Sequence, residues 1–311
     1  MSCEIIWNRL NLGEWAARYN TIGRSTLLQS YYYAQANAAV NSQKPRWGLI
    51  KINGVEAGLV QIFEAGLFGN LIHAVMCDRG PLWFSGFGNA IHTHAFLCEF
   101  SRQFPRRLGR KRRIILEYPT ENLDLLGIDL IQNEHQYETI WLDLRKNEDD
   151  LRKALKKQWR GTLQKAEKAG LKIKWDTEGK FTNWLIYNYA ADRAAKNYGG
   201  ISIAMLRALI EYGLKSKSVI IGQAIKNDNP VAGILILTHG QGATYQVGFN
   251  NPDGREMGAH HLLLWESLSM LKERGVSDFD LGGINDESAK GVKTFKQAMG
   301  GEFLCLPYCF R

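Results

Sequence analysis

Asp280 to Glu302 reads DLGGINDESAKGVKTFKQAMGGE. An apolar run, Val276 to Leu281, has the look of a buried strand and ends in Gly282-Gly283. A polar loop follows. Then comes a short helical piece carrying Lys293, Phe295 and Lys296, and a second glycine pair at Gly300-Gly301. Glycine lets a backbone take positive φ or approach a ligand closely. Lysines beside such a turn put cations where an anionic group can sit. A plain strand–turn–helix connection with solvated lysines reads the same way, so the stretch needs its surroundings.

Upstream, ATYQVGFNNPDGREMGAHHLLLWESL (243–268) reads as strand, loop and helix, and Gly275 stops the helix. Further back, KKQWRGTLQKAEKAGLKI (156–173) reads as a basic helix. Glu148, Asp149 and Asp150 open that helix, where negative charge complements the dipole, and Gly170 closes it as a left-handed cap. At an offset of 175 residues Ile50-Lys51 matches Ile225-Lys226, and Ala57-Gly58 matches Ala232-Gly233. Each pair brackets a polar turn, Asn53-Gly54 or Asn227 to Pro230, so both copies read as β-hairpins. Each half then reads as helix, antiparallel strands, helix, strand. That order predicts an α+β fold of tandem, duplicated GNAT-like (acyl-CoA N-acyltransferase-like) domains. The expected domains are 1–146 and 147–311, with the last strand, about 303–310, returning to the first.

Three stretches together (280–302, 156–173 and 243–268) resemble the FemABX peptidoglycan aminoacyltransferases. The family pattern of Asp, Gly-Gly, variable loop, Gly, Phe-Lys and Gly-Gly falls on Asp280, Gly282, Gly283, Gly291, Phe295, Lys296, Gly300 and Gly301. The first half matches loosely, at Leu28-Gln29-Ser30. The resemblance implies the tandem fold in its form without a coiled-coil arm. It implies transfer of an amino acid from aminoacyl-tRNA to the stem peptide of a UDP-linked or lipid-linked precursor, with no cofactor. It assigns Lys296 and Phe295 to the catalytic site, and Arg193, Tyr245, Lys293 and Gly283 to substrate. Lys156, Lys157 and Arg160 become contacts for tRNA or phosphate. One departure stands out: where relatives carry a substrate-binding lysine, this chain has Ala36 and Asn37.

Composition agrees with an anionic partner. Net charge is +8, and the positive charge is concentrated: from Arg152 to Lys168 seven basic residues face the lone Glu167, and a second cluster runs from Arg102 to Arg113. Solvated helix faces explain such runs equally well; a polyanion or anionic lipid headgroups would also suit them. No apolar run approaches the ~20 residues of a membrane span. The five cysteines form no CxxC pair, which points to free thiols in a reducing cytoplasm. Peripheral contact with the inner membrane face is a further expectation, and a metal site is not expected.

A lysine-like acceptor amine is only about one part in a thousand neutral near pH 7, a deficit of roughly 4 kcal/mol. An enzyme for this reaction must offset that deficit and stabilise an oxyanion. Aminoacyl-tRNA is already an activated ester, and the chain shows no Gly-x-Ser-x-Gly elbow that would supply a nucleophile. A GNAT-type N-acyltransferase using acyl-CoA is the alternative. Its pyrophosphate turn would be Arg255-Glu256-Met257-Gly258-Ala259-His260, where His260 replaces a small residue and would crowd a phosphate. A non-catalytic RNA-binding or envelope-binding protein is a third reading. Core packing for Tyr245, a surface pair for Arg193 and a solvated Lys296 are the plain alternatives for those residues.

Overall fold

The computed structural model describes residues 1–311 apart from 70, 119–127, 129, 197–198, 285–289 and 311. The chain divides into two compact units, Met1–Tyr137 with the residues from Cys305 onward, and Glu138–Leu304. The division falls ahead of the expected one at 146/147. Trp141–Asp143 pair with Asp278–Asp280 of the second unit, so the chain has entered it before the acidic helix begins.

In chain order the first unit contains β1 (Cys3–Trp7), α1 (Leu12–Tyr19), α2 (Tyr31–Asn41), β2 (Lys44–Ile52), β3 (Val55–Leu67), β4 (Ile72–Cys77), β5 (Leu82–Trp83), α3 (Ala90–Gln103) and β6 (Arg110–Ile115). β7 (Ile131–Asp143) leads into the second unit, with α4 (Glu148–Ala154), α5 (Lys157–Glu167), β8 (Lys172–Asp176), α6 (Thr182–Lys196), α7 (Ile203–Lys215), β9 (Val219–Lys226), β10 (Asn229–His239) and β11 (Gly242–Asn250). α8 (Pro252–Met257), α9 (Ala259–Glu273), β12 (Asp278–Asp280), α10 (Lys290–Gln297) and β13 (Glu302–Phe310) complete the chain.

The two units repeat one plan. Strand, two helices, a three-strand meander, a helix and a parallel strand appear as β1-α1-α2-β2-β3-β4-α3-β6 and again as β8-α6-α7-β9-β10-β11-α9-β12. The sheets run β1-β2-β3-β4-β6 and β8-β9-β10-β11-β12. Among the described residues the parallel pairs are β4 with β6 and β11 with β12. An antiparallel strand follows each: Tyr308–Phe310 of β13 on β6, and Trp141–Asp143 of β7 on β12. The two hairpin turns have the chemistry the sequence implies. Asn53 and Gly54 sit at φ 50° and 83°, and Asn227 and Asp228 at 48° and 61°. These positive values match the right-handed twist of the flanking strands.

Each core lies under the helix that makes the parallel crossover. α3 buries Phe96 and Phe100, four apart and so on one face, against Val60, Ile62 and Val75. α9 buries Leu263, Leu264 and Leu271 beneath Ile234, Ile236 and Phe279. Full burial of such a side chain contributes about 1.5–3 kcal/mol.

The expected single basic helix is two. Leu155 turns extended (ψ 135°), α5 restarts after Lys156, and it ends at Glu167 with Lys168 as its cap. Gly170 (φ 67°) shapes the turn into β8 instead of capping a helix. Leu155, at the break, is buried in the second core. β1, β5 and β8 are strands that periodicity did not mark.

Candidate active site

β11 and β12 run parallel for three pairs only, Gly242↔Asp278, Ala243↔Phe279 and Thr244↔Asp280. Beyond them β11 continues while β12 turns away. An extra residue, Gln246, sits in β11 where the register jumps from Leu235↔Val247 to Ile236↔Tyr245. Such a bulge re-aims the neighbouring side chain, here Tyr245. β12 turns at Gly282 (φ 75°). Asp280, fully buried, holds that turn: its carboxylate accepts the Gly282 N–H at 2.8 Å and the Thr139 hydroxyl. It is a turn-former.

The polar loop after Gly283 lies, at 285–289, outside the described residues. α10 then returns Lys296 to the turn. Its Nζ donates to the carbonyl of Gly283 at 3.1 Å and to that of Gly282 at 3.4 Å, and stands 5.4 Å from the centroid of the Tyr245 ring. Lys296 is only 6% exposed, so the solvated reading of this lysine does not hold. Among the described residues it forms no ion pair. Burial pushes its amine down to about 8, against the opposing field of Asp280. A desolvated ammonium held by carbonyl dipoles and an aromatic face is ready to meet an anionic ligand or a developing oxyanion.

The Tyr245 hydroxyl shares a hydrogen bond with His260 Nε2 at 3.2 Å. Burial, then His261 and the cations Lys196 and Lys296, push His260 down to about 4, so it is neutral near pH 7. Its ring lies across β11 at Gly248, where a Cβ would come within 2.3 Å of both His260 Nε2 and the Tyr245 hydroxyl. Phe295 packs against His261 (ring centroids 4.9 Å), His260 (6.0 Å) and Trp159 (6.0 Å). The indole N–H of buried Trp159 has no hydrogen-bond partner among the described residues.

The other expected residues have different surroundings. Gly283 is exposed and lends its carbonyl to Lys296. Lys293 is tied to Glu138 at 2.5 Å and lies over Phe303, so its charge is already matched. Arg193, at the end of α6, donates to the carbonyl of Ile201 at 3.0 Å. Lys156 and Lys157 are exposed and Arg160 partly so. They border the cluster through their own helix, since Lys156 N–H donates to the carbonyl of Ala298 and Trp159 touches Phe295. The second glycine pair serves packing. A Cβ at Gly300 would lie 2.2 Å from the carbonyl oxygen of Ala154, and one at Gly301 would lie 2.4 Å from that of Trp141.

His260, Gly248 and Trp159 are the members sequence reasoning missed. His260 reads from sequence as an obstruction to phosphate; its ring instead binds Tyr245. An isolated glycine inside a strand, as at Gly248, signals close approach and was the clue available.

A meander, a crossover helix from a glycine-opened turn, and a parallel pair that parts beside a buried cation make a GNAT-like fold. Residues 152–297 match the acetyltransferase (GNAT) domain family. Over the whole chain the fold is that of FemX (TM-score 0.76, 13% identity, covering 97% of this chain and 96% of that one). A tandem GNAT protein from the clavulanic acid biosynthesis pathway, solved without acetyl-CoA, is similar at TM-score 0.54 (12% identity, 100% and 98% covered). So is the C-terminal domain of a putative lysylphosphatidylglycerol synthetase from Agrobacterium fabrum, at TM-score 0.52 (14% identity, 81% and 80% covered). No curated protein sequence matches the chain.

Proposed function

We propose that this protein is a cytoplasmic aminoacyltransferase of peptidoglycan synthesis, moving an amino acid from aminoacyl-tRNA to an amine on the stem peptide of a UDP-linked or lipid-linked precursor. The observation that carries the proposal is the buried Lys296, held by the carbonyls of Gly282 and Gly283 over Tyr245. In the reaction the acceptor nitrogen attacks the ester carbonyl. An amide bond forms, the ester bond to the ribose breaks, and the ribose oxygen leaves with the proton the amine gives up. The Lys296 ammonium balances the negative charge of the tetrahedral intermediate, a contribution usually worth 10²–10³ in rate, or about 3–4 kcal/mol. The Tyr245–His260 hydrogen bond fixes the ring over which the ammonium sits, and Phe295 forms an apolar wall. Lys156, Lys157 and Arg160 would take the phosphates of tRNA. The fold shared with FemX supports this reading.

The test is to incubate the purified protein with charged total tRNA and with UDP-linked or lipid-linked precursors. A precursor mass increment of one amino-acid residue, abolished by RNase, is expected. No increment with any charged tRNA removes the proposal.

Acyl transfer from acyl-CoA is the second reading. The GNAT family match favours it, and so does His260, whose ring is drawn to Tyr245 and so need not crowd the turn at Gly258. Transfer seen only with acyl-CoA, together with acetyl-CoA binding at about 10 μM by calorimetry, would establish it over the first.

A further inference from the structure

The β3–β4 hairpin of the first unit ends in a way that folding does not explain. Leu67 is 61% exposed, Phe68 81%, Leu71 69% and Ile72 51%; beside them Leu108, in the loop before β6, is 99% exposed. The loop and the hairpin are in direct register. His73 N–H donates to the carbonyl of Gly109 at 2.9 Å, and a Cβ on Gly109 would lie 2.2 Å from the carbonyl oxygen of Leu71. The five side chains therefore share one end of the sheet. Soluble proteins expose large apolar side chains singly; a group of them marks a surface that meets something.

The turn itself sharpens the point. Phe68 takes φ 51° in the left-handed region, which a bulky residue adopts only at a cost. The β2–β3 and β9–β10 hairpins place Asn53-Gly54 and Asn227-Asp228 at their positive-φ positions, the residues that turn chemistry prefers. An aromatic here lowers both fold stability and solubility.

Charge identifies the occupant. Exposed Arg106, Arg107 and Lys111 flank the apolar end, with Lys111 in register with Ala74 of β4. Residues 65–77 and 104–116 contain no Asp or Glu. Apolar tips ringed by cations suit an anionic bilayer: the headgroups take the cations, while Phe and Leu enter the acyl boundary. Among the described residues no helix is long and apolar enough to cross a membrane.

We propose that the β3–β4 hairpin tip and the Leu108 loop dock this protein onto an anionic phospholipid surface. The proposal does not depend on the reaction assigned above, and its test uses no substrate. The full chain is sedimented with vesicles of phosphatidylcholine alone, and with vesicles in which phosphatidylglycerol makes up about a third of the lipid. Binding to the anionic vesicles should exceed binding to the neutral ones by about tenfold or more. Phe68→Asn with Leu71→Ser, and separately Arg106→Glu with Lys111→Glu, should each lower it by about tenfold or more. Asn accepts positive φ, so the first variant should melt at the same temperature as wild type or higher, which separates a docking defect from a folding defect. Wild type failing to pellet with anionic vesicles would overturn the proposal, and so would variants that bind like wild type. A wild-type dimer in the ultracentrifuge that the first variant dissolves, without vesicle binding by either, would instead make this face a contact between two copies of the chain.

Discussion

Arg79 of the first unit and Lys296 of the second are both buried cations, and their surroundings are opposite. Arg79 is 1% exposed and meets Glu117, itself 1% exposed, in a two-pronged pair at 2.7 and 3.0 Å. Lys296 is 6% exposed and has carbonyl oxygens, an aromatic face and, among the described residues, no ion pair. The first charge is neutralised inside the fold; the second has no counter-ion among the described residues. Two copies of one plan thus differ in how a buried charge is held, and the proposed function puts the chemistry beside the second.

Removing each cation should have opposite effects on stability. Arg79→Met strands the Glu117 carboxylate in the core and should cost about 3–5 kcal/mol in urea unfolding, and Arg79→Met with Glu117→Leu should recover most of it. If the single variant were as stable as wild type, the pair would not be the closed system described here.

Lys296→Met should stabilise the protein at pH 7 while cutting turnover by about 10²–10³. The folded-state value, pushed down to about 8 from 10.5, lies below the unfolded one. Between pH 8 and 10.5 the unfolded chain holds more protons, so wild-type stability rises with pH in that window. The burial cost is present in full below pH 8 and fades towards 10.5. The variant should therefore be more stable than wild type by up to about 3 kcal/mol at pH 7, with the gap closing by pH 10.5. Unfolding curves at both pH values decide it; a gap independent of pH would mean the amine is not destabilised by burial.

Two crowded strand glycines extend the comparison at smaller magnitude. Gly248→Ala puts a methyl against the Tyr245 hydroxyl and His260, and should lower turnover by about tenfold through displaced rings. Gly48→Ala in β2 puts one 2.8 Å from Ile5 and should cost stability alone. Equal turnover losses from both would mean that Gly248 acts through the fold and not through the site.

The sequence carried the element order and the duplication because hairpin turns, helix caps and apolar runs are local signals. Lys296, Tyr245 and Phe295 were reached only through the resemblance of their stretches to the FemABX pattern. What stayed hidden depends on neighbours distant in the chain. Lys293 looked like a site cation until Glu138, on another strand, was seen to neutralise it. His260 could not be paired with Tyr245 before the bulge at Gln246 had aimed the tyrosine. The break at Leu155 leaves no mark in the charge pattern, which runs on unbroken across it. The hairpin tip went unnoticed because the exposure of Leu67, Phe68 and Leu71 is not visible in the sequence.

The smallest effects test whether the two basic clusters divide their partners as the two units divide their charges. Lys157 at the start of α5 is assigned to nucleic-acid phosphate, and Lys111 on β6 to lipid headgroups. Removing a single cation–phosphate pairing shifts the log–log salt slope by about 0.7 and affinity by about fourfold near 0.15 M salt. Removing a single cation from an anionic bilayer surface costs about 1 kcal/mol, or about fivefold. Lys157→Gln should then weaken tRNA binding by about fourfold and flatten its salt dependence, leaving vesicle binding unchanged. Lys111→Gln should do the reverse, with about a fivefold loss on vesicles and the tRNA slope intact. Both surfaces are solvent-exposed and unneeded for folding, so filter binding and vesicle sedimentation on the same two proteins compare them directly. If either variant weakened both ligands equally, the clusters would form one undifferentiated basic surface, and the assignment of α5 to tRNA would fall with it.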